Sequence, residues 1–296
     1  MFRSLALALA CVAGPLFADT VSIETAKGVV DVDVSPDKIA VFDVSALDTL
    51  DALGVAADGV LANVYVDYLA DATQGGTIVG SLFEPDFEAV YALDPDLIIA
   101  GGRSSTQVEA LGEIAPTIDM TIWGDTIAQA LARLEAYGLL FDKTDEAAAL
   151  RTAFDAKLDA ARMAVAGRGK ALIVLTNGPK VSAYGSNGRF GWLHTALDLP
   201  EAVKDVAQSN HGEAISFEFI RDANPDILIV IDRMAAIARP GDNAEATLDN
   251  PLVHETNAWK DGNILYLNAA DIYIASGGIQ SLGRTLDQFI QSFPAE

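Results

Sequence analysis

Cysteine is all but absent from this chain: Cys11 is the one such residue among 296. It lies in the N-terminal stretch MFRSLALALACVAGPLFA, residues 1–18, where Arg3 supplies a positive end, Leu5 to Ala13 an apolar run, and Gly14-Pro15 a break before Ala18. Such a stretch reads as a secretory signal peptide cleaved after Ala18, too short and too weakly flanked to be a transmembrane helix. A second reading makes Cys11 the acylated residue of a lipoprotein; it leaves only Leu5 to Ala10 as the apolar run and is the weaker of the two. Without Cys11 the exported chain has no thiol, which excludes disulfides and cysteine nucleophiles. Cations are scarce too: 19 Lys+Arg stand against 42 Asp+Glu, a formal net charge of −23 with a pI near 4.2. That balance repels phosphate backbones and anionic lipid surfaces, and so excludes nucleic-acid binding by counterion release. The three histidines, His194, His211 and His254, are too far apart in sequence to form a metal cluster by spacing. GxSxG, P-loop, HExxH and CxxC motifs are missing, which removes the common enzyme signatures. Beyond the signal no apolar run reaches ~18 residues, so the exported protein is expected to be soluble.

What is present is the composition of a packed protein, 51% hydrophobic and 21% charged. The length suits two lobes of roughly 100–150 residues, each burying its own core. TVSIETAKGVVDVDV alternates around Lys27-Gly28 and predicts a hairpin, and IAVFDV, residues 39–44, predicts a buried strand. VYALDPDLIIAGG (90–102) and FIRDANPDILIVIDR (219–233) share one plan: a helix end, a Pro-Asp turn, and an apolar strand without polar alternation. KALIVLTNG (170–178) is another such strand. Strands of this kind suit a parallel sheet covered on both faces, and the echo predicts two similarly built α/β lobes. Between the echoes, residues 126–166 read as continuously helical, with an N-terminal signature at Lys143-Thr144-Asp145-Glu146 and a stop at Gly167-Arg168-Gly169. Some twenty strong helix formers reach about 30 Å, enough to span two lobes. The predicted organisation is a signal peptide at 1–18, an N-terminal lobe at 19–141, an inter-lobe backbone helix at 142–167 and a C-terminal lobe at 168–296.

Arginines stand at informative places. Arg103 follows IIAGG, Arg189 follows the YGSNG turn, and Arg233 ends ILIVIDR, each off the carboxyl end of a predicted strand. Ligands of open α/β sheets sit outside such strand ends, and guanidinium forks bind delocalised oxyanions well. The competing reading pairs each arginine with a neighbouring acid, such as Asp232 beside Arg233. Gly185-Ser186-Asn187-Gly188 is either a turn alone or a turn that offers backbone N–H groups to an anion.

The runs VGSLFEPDFEAVYALDPDLIIAGGRSS, YGSNGRFGWLH, SNHGEAISFEFIRDANPDILIVIDRMAAI and ILYLNAADIYIASGGIQSLGRTLDQF resemble the periplasmic ferric-siderophore-binding proteins of ABC importers, in their catecholate-type branch. GRFG, DRxxAI and YxASGG in that order are specific, and the likeness runs from about residue 36 to the C-terminus. The resemblance implies an α/β fold of two Rossmann-like lobes joined by a long backbone helix, with the ligand in the cleft between lobes. It implies no intrinsic cofactor, a ferric siderophore as the transported ligand, a monomer, and ABC permease subunits as partners. It places Arg103, Arg189 and Arg233 around an anionic ferric catecholate, and His211 and Tyr273 as iron ligands when the siderophore is only tetradentate. Tyr273 as plain aromatic packing, and His211 as a hydrogen-bond donor to the ligand, stay open beside that assignment. Phe83 stands where relatives often carry a lysine, which removes a fourth cationic contact and narrows the ligand to a less charged or more aromatic chelate. Glu88 and Glu218 occupy matching places in the echoed units, and the resemblance makes them the permease-docking pair, one per lobe. A haem- or corrinoid-binding protein of the same superfamily is the nearest alternative, and a secreted hydrolase the more distant one.

Overall fold

The computed structural model describes residues 20–207, 210–241 and 243–294; the signal segment and Cys11 lie outside the described residues. A hairpin opens it, β1 (Thr20–Thr25) against β2 (Gly28–Asp33), with Thr25 opposite Gly28. Gly28 closes the turn at φ +102°, a backbone that side chains rarely adopt.

Five parallel strands follow: β3 (Ile39–Val41), β4 (Gly59–Val60), β5 (Thr77–Ile78), β6 (Leu97–Ala100) and β7 (Thr117–Asp119), in the sheet order β5-β4-β3-β6-β7. A second sheet contains β8 (Ala171–Asn177), β9 (Lys180–Tyr184), β10 (Glu213–Ile215), β11 (Ile227–Asp232) and β12 (Ile264–Tyr266), ordered β10-β9-β8-β11-β12. The central strands β6, β8 and β11 are buried almost throughout, as strands without polar alternation must be.

The sequence echo has a geometric cause. The helices Phe87–Leu93 and Phe217–Ala223 each end on a left-handed residue, Asp94 at φ 54° and Asn224 at φ 40°. The aspartate of each following Pro-Asp then accepts a hydrogen bond from the backbone just ahead of the neighbouring strand: Lys38 N to Asp96 at 2.8 Å, and Lys170 N to Asp226 at 2.9 Å. Pro-Asp thus stops a helix and ties the next strand into its sheet in both lobes.

The helical stretch between the lobes is broken, contrary to the continuous reading of 126–166. Helices Thr126–Leu140 and Thr144–Val165 are separated by Asp142 at φ 54°, and Lys143 N donates to Gly138 O at 2.7 Å. The two helices meet so closely that a Cβ on Gly138 would lie 2.7 Å from Ala147 Cβ. The second, of 22 residues, is about 33 Å long at 1.5 Å per residue. It buries Phe154, Leu158 and Ala161, and pairs through Lys157 with Asp287 of the C-terminal helix Ile279–Ser292 at 2.7 Å. One continuous apolar core, including Phe42 and Leu50 of the first lobe and Leu282 and Phe289 of that helix, joins the lobes.

Polar contacts lock the same junction. Asp48, fully buried in the helix Val44–Ala52, accepts from Gln280 N at 2.8 Å and Ser281 N at 2.9 Å, so a residue of the first lobe caps a helix of the second. Tyr68 donates its hydroxyl to the same carboxylate, and the Arg284 guanidinium covers the Tyr68 ring at 4.6 Å while binding Asp271 at 2.8 Å. Burial pushes the Asp48 carboxyl up to about 7, against the lowering pull of Tyr68 and the two backbone donors.

Candidate functional site

Three arginines meet on one residue. Tyr273 closes the short helix Ala269–Tyr273, whose last carbonyls have no intrahelical partner. Arg103, on the turn after β6, donates to Tyr273 O at 2.8 Å and to Ile274 O at 3.5 Å. Arg189 donates to the same Tyr273 carbonyl at 2.6 Å and lies over the ring, 4.2 Å from its centroid. Arg233, directly after β11, donates to the Tyr273 hydroxyl at 3.1 Å and to Asn177 Oδ1 at 3.3 Å. Arg103 belongs to the first lobe and the other three residues to the second, so the cluster straddles the junction.

The positions of these arginines follow from local structure, with one difference from the sequence expectation. Arg103 sits in a turn fixed by Ser104, whose hydroxyl holds Gly101 N, and by Thr121 on β7's far end, which accepts from Gly102 N at 3.0 Å. Arg233 starts a helix that Asp232 caps, accepting from Met234 N, Ala235 N and Ala244 N. That carboxylate is therefore committed to backbone, not to Arg233. Arg189 arrives by another route. β9 runs antiparallel to β8, with Lys180 opposite Asn177 and Tyr184 opposite Ile173, so the carboxyl end of β9 lies away from the carboxyl ends of β8 and β11. Arg189 reaches Tyr273 from the turn beyond it, carried by Phe190, which packs edge-on against Tyr184 at 4.8 Å and tilted against Tyr273 at 6.4 Å. Strand-end equivalence is thus true of Arg103 and Arg233 but not of Arg189, although all three converge.

Among the described residues none of the three arginines forms an ion pair with a carboxylate. Their partners are carbonyls, an amide oxygen and a phenol, all neutral. Burial, then the neighbouring charge of Arg189, pull the Arg103 guanidinium below its ordinary range. Burial alone would raise the Tyr273 phenol, but the Arg233 hydrogen bond and the charges of Arg189 and Arg233 outweigh it and hold the phenol below its usual value. Asp43 acts on Arg103 only at longer range, so half-buried cations with no directly paired carboxylate among the described residues, beside a phenol whose ionisation they favour, form a place suited to an anion.

The other sequence candidates lie around this centre or apart from it. His211 is exposed in the turn ahead of β10; the next residue, Gly212, is backed so closely on the Tyr184 ring that a Cβ there would come within 2.7 Å of it. The turn that carries His211 therefore rests on the aromatic stack that ends at Tyr273. Phe83 and Trp123 are 60% and 64% exposed. Trp123 follows Ile122, which packs on Gly277 just beyond Tyr273. Glu88 and Glu218 are exposed and each sits in the first turn of its echoed helix. The Ser216 hydroxyl and the helix's own backbone hold Glu218 below the usual carboxylate range. Gly185-Ser186-Asn187-Gly188 is a turn whose Ser186 N–H already serves Glu201 at 2.6 Å, so that donor is taken. A separate open cavity of about 670 Å³ lies at the β12 edge between Glu245, Asp249, Trp259 and Tyr266; its walls are acidic and unsuited to the anion that the arginines attract.

Sequence reasoning missed Asn177, Phe190 and Tyr184. Asn177 had a signal, as the polar residue closing KALIVLTNG just before a glycine. The Phe190–Tyr184 packing had none, because it depends on how the chain recrosses the sheet.

Comparison with known proteins gives this arrangement a context. The petrobactin-binding protein YclQ of Bacillus subtilis is 33% identical over 274 residues, which cover 91% of this chain and 86% of that one. The ferric-anguibactin-binding protein FatB of Vibrio anguillarum is 34% identical over 270 residues, 87% and 83% of the two chains. The crystal structure of the periplasmic catecholate-siderophore binding protein VctP of Vibrio cholerae matches with a TM-score of 0.86 at 31% identity, over 92% of this chain and 100% of that one. Residues 39–270 match the family described as periplasmic binding protein. Two sheet-containing lobes, a long helix between them and relatives of this similarity along nearly the whole length mean that the chain belongs to the periplasmic binding protein family.

Proposed function

We propose that this protein captures a ferric catecholate siderophore between its two lobes, outside the cytoplasmic membrane, and delivers it to the permease subunits of an ABC importer. The observation that carries the reading is the meeting of Arg103, Arg189 and Arg233 on Tyr273 with, among the described residues, no carboxylate in an ion pair with any of them. A ferric catecholate bears net negative charge spread over catechol oxygens, and guanidinium forks match such oxygens in charge and geometry. In this reading the arginines exchange their neutral partners for the chelate. Tyr273 offers a phenolate, a fitting donor to the hard Fe(III) cation, and His211 a second ligand when the siderophore leaves positions open. Glu88 and Glu218 meet the permease, one per lobe, with the lobes at 19–141 and 168–296. Relatives named for petrobactin, ferric anguibactin and a catecholate siderophore favour a siderophore over haem or a corrinoid.

The test is titration of the purified mature protein with ferric tris- and bis-catecholates, followed by tryptophan fluorescence and the visible charge-transfer band. Trp123, whose neighbour Ile122 packs on Gly277 just beyond Tyr273, is the expected reporter, whereas Trp259 stacks on His254 at the β12 edge. Submicromolar binding that falls at least tenfold in Arg189→Ala is expected, about 1.4 kcal/mol. No response to any catecholate sinks the assignment.

A further inference from the structure

Exposed large apolar side chains concentrate in one short stretch of the first lobe: Ile78 at 59%, Phe83 at 60%, Phe87 at 41% and Tyr91 at 75% exposed. On the helix Phe87–Leu93, Phe87 and Tyr91 are one turn apart and share a face, and Glu88 borders Tyr91 from the adjacent row. Val90, on the row next to Phe87 away from Glu88, is fully buried and anchors the helix. Nothing about this surface is slack. Asp86 caps the helix through Ala89 N at 3.0 Å, Asp86 N returns to Val79 O at 2.8 Å, and the Ser81 hydroxyl accepts from Phe83 N and Glu84 N. The aromatic rings are held out by an ordered scaffold, which lowers the entropy cost of contact.

The echoed helix of the second lobe is built otherwise. Phe217 and Phe219 pack into the second lobe's core, and its surface is ionic, with Arg221 paired to Asp222 at 2.7 Å beside Glu218. Two helices of one plan therefore present different chemistry. Charge narrows the partner further. Lys38 reaches the C-terminal end of this helix at Leu93 O, 2.9 Å away. No lysine, arginine or histidine follows it in sequence before Arg103, while Glu84, Asp86 and Glu88 lie at and just before the first turn that carries Phe87. A second copy meeting this face by twofold symmetry would set those carboxylates against themselves, and an anionic lipid surface would be repelled. A protein surface that brings cations around an apolar centre fits.

We infer that Phe87 and Tyr91, flanking Glu88, form the apolar centre of the surface that docks on the importer's permease, and that the first lobe supplies most of the docking affinity. Glu218 of the second lobe sets orientation. This inference rests on the importer role proposed above and assigns that role an asymmetry between lobes. Exposed aromatics on a rigid frame supply affinity, whereas a rim charge mainly changes on-rate and salt dependence.

The test measures binding of the mature protein to its cognate permease–ATPase complex in neutral-lipid nanodiscs. Tyr91→Ser is expected to weaken docking about tenfold and Phe87→Ser/Tyr91→Ser about thirtyfold, while Glu218→Gln and the exposed control Met163→Ser change it less than about threefold. A double variant within about threefold of the unaltered protein overturns the proposal, as does an equal or larger loss in Glu218→Gln or an unaltered protein that does not dock. Light scattering that finds a dimer dispersed by Tyr91→Ser overturns it in favour of a second copy. The same variants are titrated with ferric catecholates and are expected to bind them unchanged. A protein that docks but binds no catecholate sinks the ligand reading alone, and one that binds catecholate yet docks equally well without Phe87 and Tyr91 sinks the docking surface alone.

Discussion

Tyr273 does two jobs with two ends: its carbonyl gathers Arg103 and Arg189, and its hydroxyl meets Arg233. Replacing it by phenylalanine keeps the first and removes the second. Tyr273→Phe and His211→Ala are therefore expected to weaken tetradentate ferric complexes at least tenfold and hexadentate ones far less, measured by titration with a ligand of each kind. Equal losses for both kinds would mean that neither side chain binds iron. At this scale the sequence was readable where charge stands out against an apolar or glycine-rich background, as Arg103 and Arg233 do after their strands. It was unreadable where a role depends on a distant partner: Arg233 reaches Asn177, 56 positions away, and Asp48 reaches Gln280, 232 positions away. No local pattern marks either pair.

At the scale of elements, period and punctuation foretold the opening hairpin, the buried strands β3, β6, β8 and β11 and the long helix, because apolar runs and Pro-Asp stops act locally. The interruption after Leu140 escaped, since Asp142 takes up a left-handed backbone that aspartate tolerates without a glycine to announce it. The C-terminal helix carries the sharper element-level test. Gly278 precedes it, and a Cβ there would lie 2.6 Å from Asp48 Cβ. Its own backbone, at φ −67°, suits any residue, so steric crowding alone is at stake. Gly278→Ala is expected to destabilise the fold by about 1–3 kcal/mol in denaturant titration, by forcing Asp48 off the helix terminus. A change below about 0.5 kcal/mol would show that the junction yields freely.

Across the whole molecule, the acidic surplus and the buried carboxyls act in one direction. Burial raises Asp43, Asp48 and Asp271, Asp48 to about 7. In the window between the ordinary carboxylate range near 3.8 and that value, the folded chain holds protons that the unfolded chain has lost, so stability falls as pH rises. Self-repulsion at a net charge of −23 adds to the same trend. His194, buried and pulled below its ordinary 6.5, opposes it on the acid side, and Asp226, held low by Lys170 N and Asn257, withdraws stability at still lower pH. The melting temperature is accordingly expected to be higher near about pH 5.5 than near about pH 8, with a shallower slope in Asp48→Asn; a rise toward pH 8 would contradict the sign. The cap that Asp48 places on the C-terminal helix also sets an order of events. A carboxylate from near the start of the chain is satisfied by amides made last, so this junction between the lobes can close only after the final helix has been synthesised.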